Sequence, residues 1–279
     1  MTVGRKLLAA LRRQGNYFLL ALAFFTRIPI PASTPFSAER LNHASRYFSA
    51  IGLLVGLWGA GVWLLAQSLL PLSVAVLISM AATVKITGAF HEDGLADMSD
   101  GLGGGMDTAR KLEIMKDSRL GTYGAITLLL AVLIKYVSLL EISRLSLIEG
   151  LLALIVLHAT SRALAGSLIF DMHYVRDDSG KGKPLAQNQS PTDLLVLLFF
   201  GALPLLLLDI YSALILLVIF IVLRYWIKRW LTRQLGGYTG DCLGAAQQIS
   251  EVAGYLIWLS LQQLQIIRIN PLIDSLLFS

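Results

Sequence analysis

The sequence has a single cysteine, Cys242, so no disulfide can form within the chain, and a lone thiol says nothing further about compartment. Charge is scarce as well. Only 15% of the 279 residues are Asp, Glu, Lys or Arg, where soluble domains carry about 25%. No clear repeat and no low-complexity linker breaks the chain, so residues 1–279 read as one domain. A cleavage site is missing too. Arg5, Lys6, Arg12 and Arg13 precede the apolar residues 17–25, as in a signal peptide, but Thr26-Arg27-Ile28-Pro29-Ile30-Pro31 follows where small residues would be needed. This segment is expected to be a retained helix, partly inserted or interfacial, ended by its two prolines.

Apolar residues fill the space that charge leaves, at 56% of the chain. Residues 48–70 contain no charge at all, and 72–84, 122–140, 147–170, 194–208, 210–223 and 252–267 are further apolar runs. A bilayer core of roughly 30 Å needs about 20 helical residues. Two of the runs, 194–208 and 210–223, reach that length only with flanking residues or as a tight hairpin. The expected fold is all-α: a polytopic integral-membrane bundle of about seven transmembrane helices plus a short or interfacial N-terminal helix.

These runs divide the remaining sequence into two groups of connections. Residues 1–47, 91–121, 171–192 and 224–250 hold seven, four, three and four Lys or Arg, or 18 of the 23 in the chain. The short turns near Pro71, 141–146 and Asp209, with the C-terminal tail, hold only Arg144 and Arg268. The positive-inside rule puts the long, basic loops in the cytoplasm. Every polar loop able to hold an active site then lies on one side. Topology also accounts for the net charge of +5, so no nucleic-acid partner is implied.

One of these loops is unusual. Residues 88–105 read GAFHEDGLADMSDGLGGG. Asp93, Asp97 and Asp100 stand at i, i+4 and i+7, on one face of a helix. No Lys or Arg lies between residues 86 and 109 to offset them. A divalent cation would do so, and hard oxygen ligands favour magnesium or manganese over zinc. The plainer alternative is a solvated acidic loop beyond a membrane helix. Against it stand the position at the membrane boundary and the glycines at 94, 101, 103, 104 and 105, which allow close backbone approach to a ligand. His91 reads as a base, a ligand or an interfacial histidine.

Further segments carry polar chemistry. Ser118, Arg119 and Thr122, in Met115-Lys116-Asp117-Ser118-Arg119-Leu120-Gly121-Thr122, fit either a phosphate site at a helix start or an ordinary N-cap with basic flanks. Gly236-Gly237-Tyr238-Thr239-Gly240-Asp241 fits a chain packed against a ligand or a glycine hinge, with Asp241 its sole acid. Ser161 and Arg162 share a helix with His158, and an arginine at that depth needs an anionic partner, protein or substrate. The direction of Lys135 is open. Lys181 and Lys183 lie in the most turn-rich loop.

Together these motifs closely resemble the cobalamin synthase, or adenosylcobinamide-GDP ribazoletransferase, family. The residues that carry the resemblance are Phe25-Thr26-Arg27-Ile28-Pro29, Gly88-Ala89-Phe90-His91-Glu92-Asp93-Gly94-Leu95-Ala96-Asp97 with Asp100-Gly101, Met115 to Thr122, Ser161-Arg162, and Gly237-Tyr238-Thr239-Gly240-Asp241 with Leu243-Gly244-Ala245. They occur in the family's order. Ser49 stands where many members have proline, and Tyr238 and Cys242 replace commoner polar residues; no acid or base is lost.

The resemblance implies a multi-pass enzyme of a bacterial or archaeal cell (inner) membrane with cytoplasmic active-site loops. It would join adenosylcobinamide-GDP to α-ribazole or its 5′-phosphate and release GMP, with Mg²⁺ as cofactor. Asp93, Asp97 and Asp100 would hold the metal. Arg119 and Arg162, with Ser118, Thr122, Ser161, Lys181 and Lys183, would bind phosphate, and Asp241 or His91 would serve as base. The other partner is the lipid bilayer, and self-association or association with other cobalamin-assembly enzymes stays open. Two alternatives stand beside it. Asp97-Met98-Ser99-Asp100-Gly101 also opens the CDP-alcohol phosphotransferase motif, but Leu-Gly-Gly-Gly follows where Ala-Arg is expected. An ion-coupled transporter would use Lys135, His158 and Arg162 as its relay.

Overall fold

The computed structural model describes residues 3–176 and 189–271, and within them the chain is helical, with two isolated β-bridges as its only other pairing. The helices are α1 (Val3–Phe25), α2 (Ala38–Ala44), α3 (Phe48–Gln67), α4 (Leu72–Thr87), α5 (Phe90–Gly104), α6 (Thr108–Ile114), α7 (Thr122–Leu145), α8 (Leu147–Asp171), α9 (Pro191–Ala202), α10 (Ile210–Leu235) and α11 (Gly240–Gln263). Each apolar run lies wholly or largely in helix. Four of these stretches are long and apolar enough to cross a bilayer singly: Ala38–Gln67 and helices α7, α8 and α10. A fifth passes only as the pair α4 and α5, which bend by 85° at their junction. The helix formed by α9 and its 3₁₀ extension is too short, and α11 is diluted by Asp241, Glu251 and glutamines. Among the described residues, four helical stretches, or five with the bent pair, are thus long and apolar enough to span by length and composition, where about seven apolar runs were counted in the sequence.

Local chemistry sets the ends of these helices. Side chains of Ser37, Asp107, Ser146, Asp209 and Thr239 accept from the first-turn N–H groups of α2, α6, α8, α10 and α11. Ser190 and Asp193 form a capping box on α9. Gly88 (φ 68°) ends α4 in the left-handed region, and Ala89 (φ 58°) continues it. Two left-handed residues in succession turn the chain sharply, so α5 does not prolong the span.

Helix α8 is the axis of the bundle, with nearly all of its apolar window buried, whereas α7 and α10 expose most of theirs. Small residues bring α3 onto it. A Cβ at Gly52 would lie 2.2 Å from the His158 carbonyl oxygen, and one at Gly56 would lie 2.8 Å from the Ile155 Cα. Such close backbone approach replaces the hydrophobic drive that is absent between helices in lipid.

The two groups of connections collect at opposite ends. At one end the short turns meet: Asp209 N–H donates to Arg268 O (3.0 Å) and the Gln262 side chain donates to Ile142 O (3.2 Å). At the other, the long polar loops pack on one another around α5 and the start of α11. The N-terminal helix runs unbroken from Val3 to Phe25; Tyr17, Leu20, Ala21 and Phe25 are buried, while Leu7, Leu8 and Leu11 are exposed.

Candidate active site

Helices α5 and α11 cross at a pair of glycines. A Cβ on Gly94 would come within 2.8 Å of the Asp241 carbonyl oxygen and 3.3 Å of the Gly244 Cα. This contact brings Asp93 and Asp97, which flank Gly94 on α5, to the first turn of α11, where Asp241 stands. Burial, and then the charges of Asp241 and Asp93, push the Asp97 carboxyl up to about 6. Burial raises the Asp241 carboxyl too, against the pull of Arg176. Three carboxylates therefore crowd at the polar end of the bundle, where Asp93 disfavours ionisation of both Asp97 and Asp241.

Arg176 is the cation set among them, and the sequence reading passed over it. Its Nη2 donates to Asp241 Oδ2 at 2.6 Å and to Met115 O at 3.3 Å. A short backbone pairing delivers it: Tyr238 N–H donates to His173 O (2.9 Å), and Val175 N–H donates to Tyr238 O (3.1 Å). Gly237 allows this, since a Cβ there would lie 2.1 Å from the His173 oxygen. The signal in the sequence was only an arginine just after a long apolar run, beside a glycine-rich partner segment with no fixed spacing to it.

The structure divides the expected metal set. Asp100 is buried, and its two oxygens accept from Gly121 N–H (2.7 Å) and Gly124 N–H (2.8 Å). It caps the N-terminus of α7, so its face is a helix-to-helix contact instead of an open donor. The acid that stands nearest Asp97 from another helix is Asp241. Hard carboxylate oxygens are the donors magnesium accepts. Among the described residues no three His, Cys, Asp or Glu side chains stand as a ready-made metal cluster. Asp93 and Asp97, one helical turn apart, fit the looser attachment in which magnesium keeps waters and shares substrate phosphates.

The other expected site residues separate as well. His91 is buried, and its ring stacks on Phe48 (5.5 Å) and Phe25 (6.5 Å) with neither nitrogen hydrogen-bonded. Enclosed in this way, its ring does not open to the carboxylate mouth. Ser161 and Arg162 also lie inside the bundle instead of at an open phosphate site. The Arg162 guanidinium bonds His158 Nδ1 (2.9 Å) and His158 O (2.8 Å) and lies over the Phe48 ring. Ser161 Oγ accepts from Gln247 (3.0 Å), which also donates to Glu251 (2.5 Å). Lys135 points inward and pairs with Glu251. Gln248 bonds both Gln247 and Glu92 at 3.0 Å, which ties this network to α5. Ser118, Arg119 and Thr122 are exposed before and at the start of α7, with Arg119 bonded to Asp117 at 2.6 Å. Lys181 and Lys183 lie outside the described residues.

The profile of the cobalamin-5-phosphate synthase family matches residues 17–259, in one block that contains every element of this site. The chain belongs to the cobalamin-5-phosphate synthase family. Three relatives, each named adenosylcobinamide-GDP ribazoletransferase, bear this out. That of Vibrio parahaemolyticus is 48% identical over 91% of this chain and 96% of its own. That of Shewanella frigidimarina is 50% identical over 89% and 95%, and that of Shewanella amazonensis 49% over 91% and 98%. No solved structure matches the chain. Membership in the cobalamin-5-phosphate synthase family displaces the CDP-alcohol phosphotransferase and transporter alternatives.

Proposed function

We propose that this chain is the adenosylcobinamide-GDP ribazoletransferase of adenosylcobalamin synthesis. The observation that carries the reading is its identity of about half, over nine-tenths of its length, to relatives bearing that name. In the reaction a hydroxyl of α-ribazole, or of its 5′-phosphate, attacks the cobinamide-side phosphorus of the diphosphate. A new phosphorus–oxygen bond forms, the bond to the distal phosphate breaks, and GMP leaves. The hydroxyl proton goes to a base.

The chain's own residues divide this work. Asp93 and Asp97 would hold Mg²⁺, which when bound neutralises diphosphate charge and polarises the attacked phosphate. Asp241 accepts the hydroxyl proton; its burial makes its carboxylate a better base than an exposed one. Arg176 binds phosphate oxygens once the substrate competes with Asp241 for its guanidinium. Exposed Arg119, with Ser118 and Thr122, lies where the diphosphate would enter from water. The buried network of Lys135, His158, Arg162 and Glu251 positions α11 and does not touch substrate. The excess of basic residues in the loops around this site supports a cytoplasmic mouth in a cell (inner) membrane.

The test is GMP release from adenosylcobinamide-GDP and α-ribazole by purified protein in liposomes. Release that requires Mg²⁺ and both substrates is expected. Absence of release, or release that ignores Mg²⁺, overturns the reading.

A further inference from the structure

A lateral groove of about 230 Å³ lies between α8, α9 and α10, away from the carboxylate mouth. Its wall is apolar for nearly its whole extent. Val156, Leu198, Ala202, Leu216 and Leu217 line it, while Ser167 and Arg224 supply polar atoms. Leu198, Leu217 and Ile221 line the groove and are also exposed, at 43%, 41% and 57%, so it opens sideways where α10 stands apart from the bundle. In a membrane protein that side faces lipid, not water.

The groove has the depth of one leaflet. Its α8 wall runs from Val156 to Ser167, or about 16 Å at the helical rise. Half of a bilayer core is roughly 15 Å. One end of the groove is also marked as the headgroup level. Tyr225 and Trp226 are exposed on α10, and Trp226 stacks on Trp230 at 5.7 Å, as in the aromatic belt of a membrane interface. Leu217, Ile221, Arg224 and Lys228 stand at i, i+4, i+7 and i+11, on one stripe of α10. The stripe is apolar along the groove and turns cationic at the interface.

The cationic end is a built cluster. Arg224 donates to Ser167 Oγ (2.7 Å), Ser167 O (2.9 Å) and Asp171 (2.7 Å), and Lys228 donates to Asp171 (2.8 Å). Two cations face one carboxylate, so the cluster keeps a net positive charge where a phosphate would sit. We propose that this groove binds one acyl chain of an anionic glycerophospholipid from the leaflet on the polar-loop side, with its phosphate held at Arg224 and Lys228. The lipid completes the packing between α8 and α10 that side chains leave open.

Native mass spectrometry of the full chain, released from detergent after exchange with phosphatidylglycerol or phosphatidylcholine, tests this without reference to catalysis. One phosphatidylglycerol per chain should be retained. Ala202→Trp and Leu217→Trp, at two exposed residues that line the groove, should lower retention roughly tenfold, the equivalent of about two buried methylenes. Circular dichroism should show unchanged helix in both. Lys228→Gln should abolish the preference for phosphatidylglycerol over phosphatidylcholine. No retained phospholipid, undiminished retention in both Trp variants, a preference unchanged in Lys228→Gln, or a second copy of the chain bound there in place of lipid would each overturn the proposal.

Discussion

The Arg176 guanidinium lies 2.6 Å from the Asp241 carboxylate, joining the segment after α8 to the first turn of α11 at the polar end of the bundle. Neither group is fully buried, at 14% and 22% side-chain exposure, so substrate can reach both. Arg176→Gln should lower kcat/KM for adenosylcobinamide-GDP by roughly 10- to 100-fold, the range of a charge-assisted hydrogen bond of about 1.5–3 kcal/mol. Arg176→Lys should restore part of it, because a point charge remains but the planar fork is lost. Steady-state kinetics with varied adenosylcobinamide-GDP would show this.

Asp93 and Asp100 should behave differently, although both belong to the acidic stretch. Asp93→Asn should raise the Mg²⁺ concentration needed for half-maximal activity while leaving the thermal midpoint nearly unchanged. Asp100→Ala should do the reverse. It leaves the Gly121 and Gly124 N–H groups without their acceptor, at a cost of about 1–3 kcal/mol, and lowers the midpoint. Titrating Mg²⁺ and melting both variants in the same detergent distinguishes the two roles.

Asp97 links pH to stability. Its folded carboxyl lies at about 6, above its unfolded value of about 3.9. Between those values the folded chain holds a proton that the unfolded chain has released, so above pH 6 the ionised group weakens the fold, and stability is regained as pH falls through 6. Without metal, Asp97→Asn should melt at a higher temperature than the native chain at pH 7.5. That difference should shrink as the pH is lowered to 5. Melting curves in the presence of a chelator measure it.

Lys135 and Glu251 form a buried ion pair between α7 and α11. Removing one partner leaves an uncompensated charge inside the bundle, which costs about 3–5 kcal/mol. Lys135→Met and Glu251→Gln should each destabilise strongly, and the double variant should be less destabilised than the sum of the two. A double-mutant cycle from thermal or denaturant unfolding gives the coupling. Additive effects would show that the pair is not a unit.

Much of the architecture is legible in the sequence alone. Apolar runs marked the helices because each span must satisfy its own backbone in lipid. The gathering of basic loops at one end followed from charge bias alone. Run length marked the shortness of the segment at α9, but it did not reveal the 85° bend between α4 and α5. The sequence also left Asp97 and Asp100 on one face with one role. Spacing puts them there, yet the second is taken up by the N-terminus of α7.

Alone, the sequence determined the fold class, the grouping of the long basic loops and the motifs that resemble one enzyme family, since each depends on composition or on residues close together along the chain. Tertiary structure decided which charged groups meet. Asp241 joins Asp93 and Asp97 because Gly94 and Gly244 let two helix backbones touch, and Arg176 arrives through a pairing with Tyr238. Helical periodicity fixes the face on which a side chain stands, but only the packing of one helix on another fixes what that face meets.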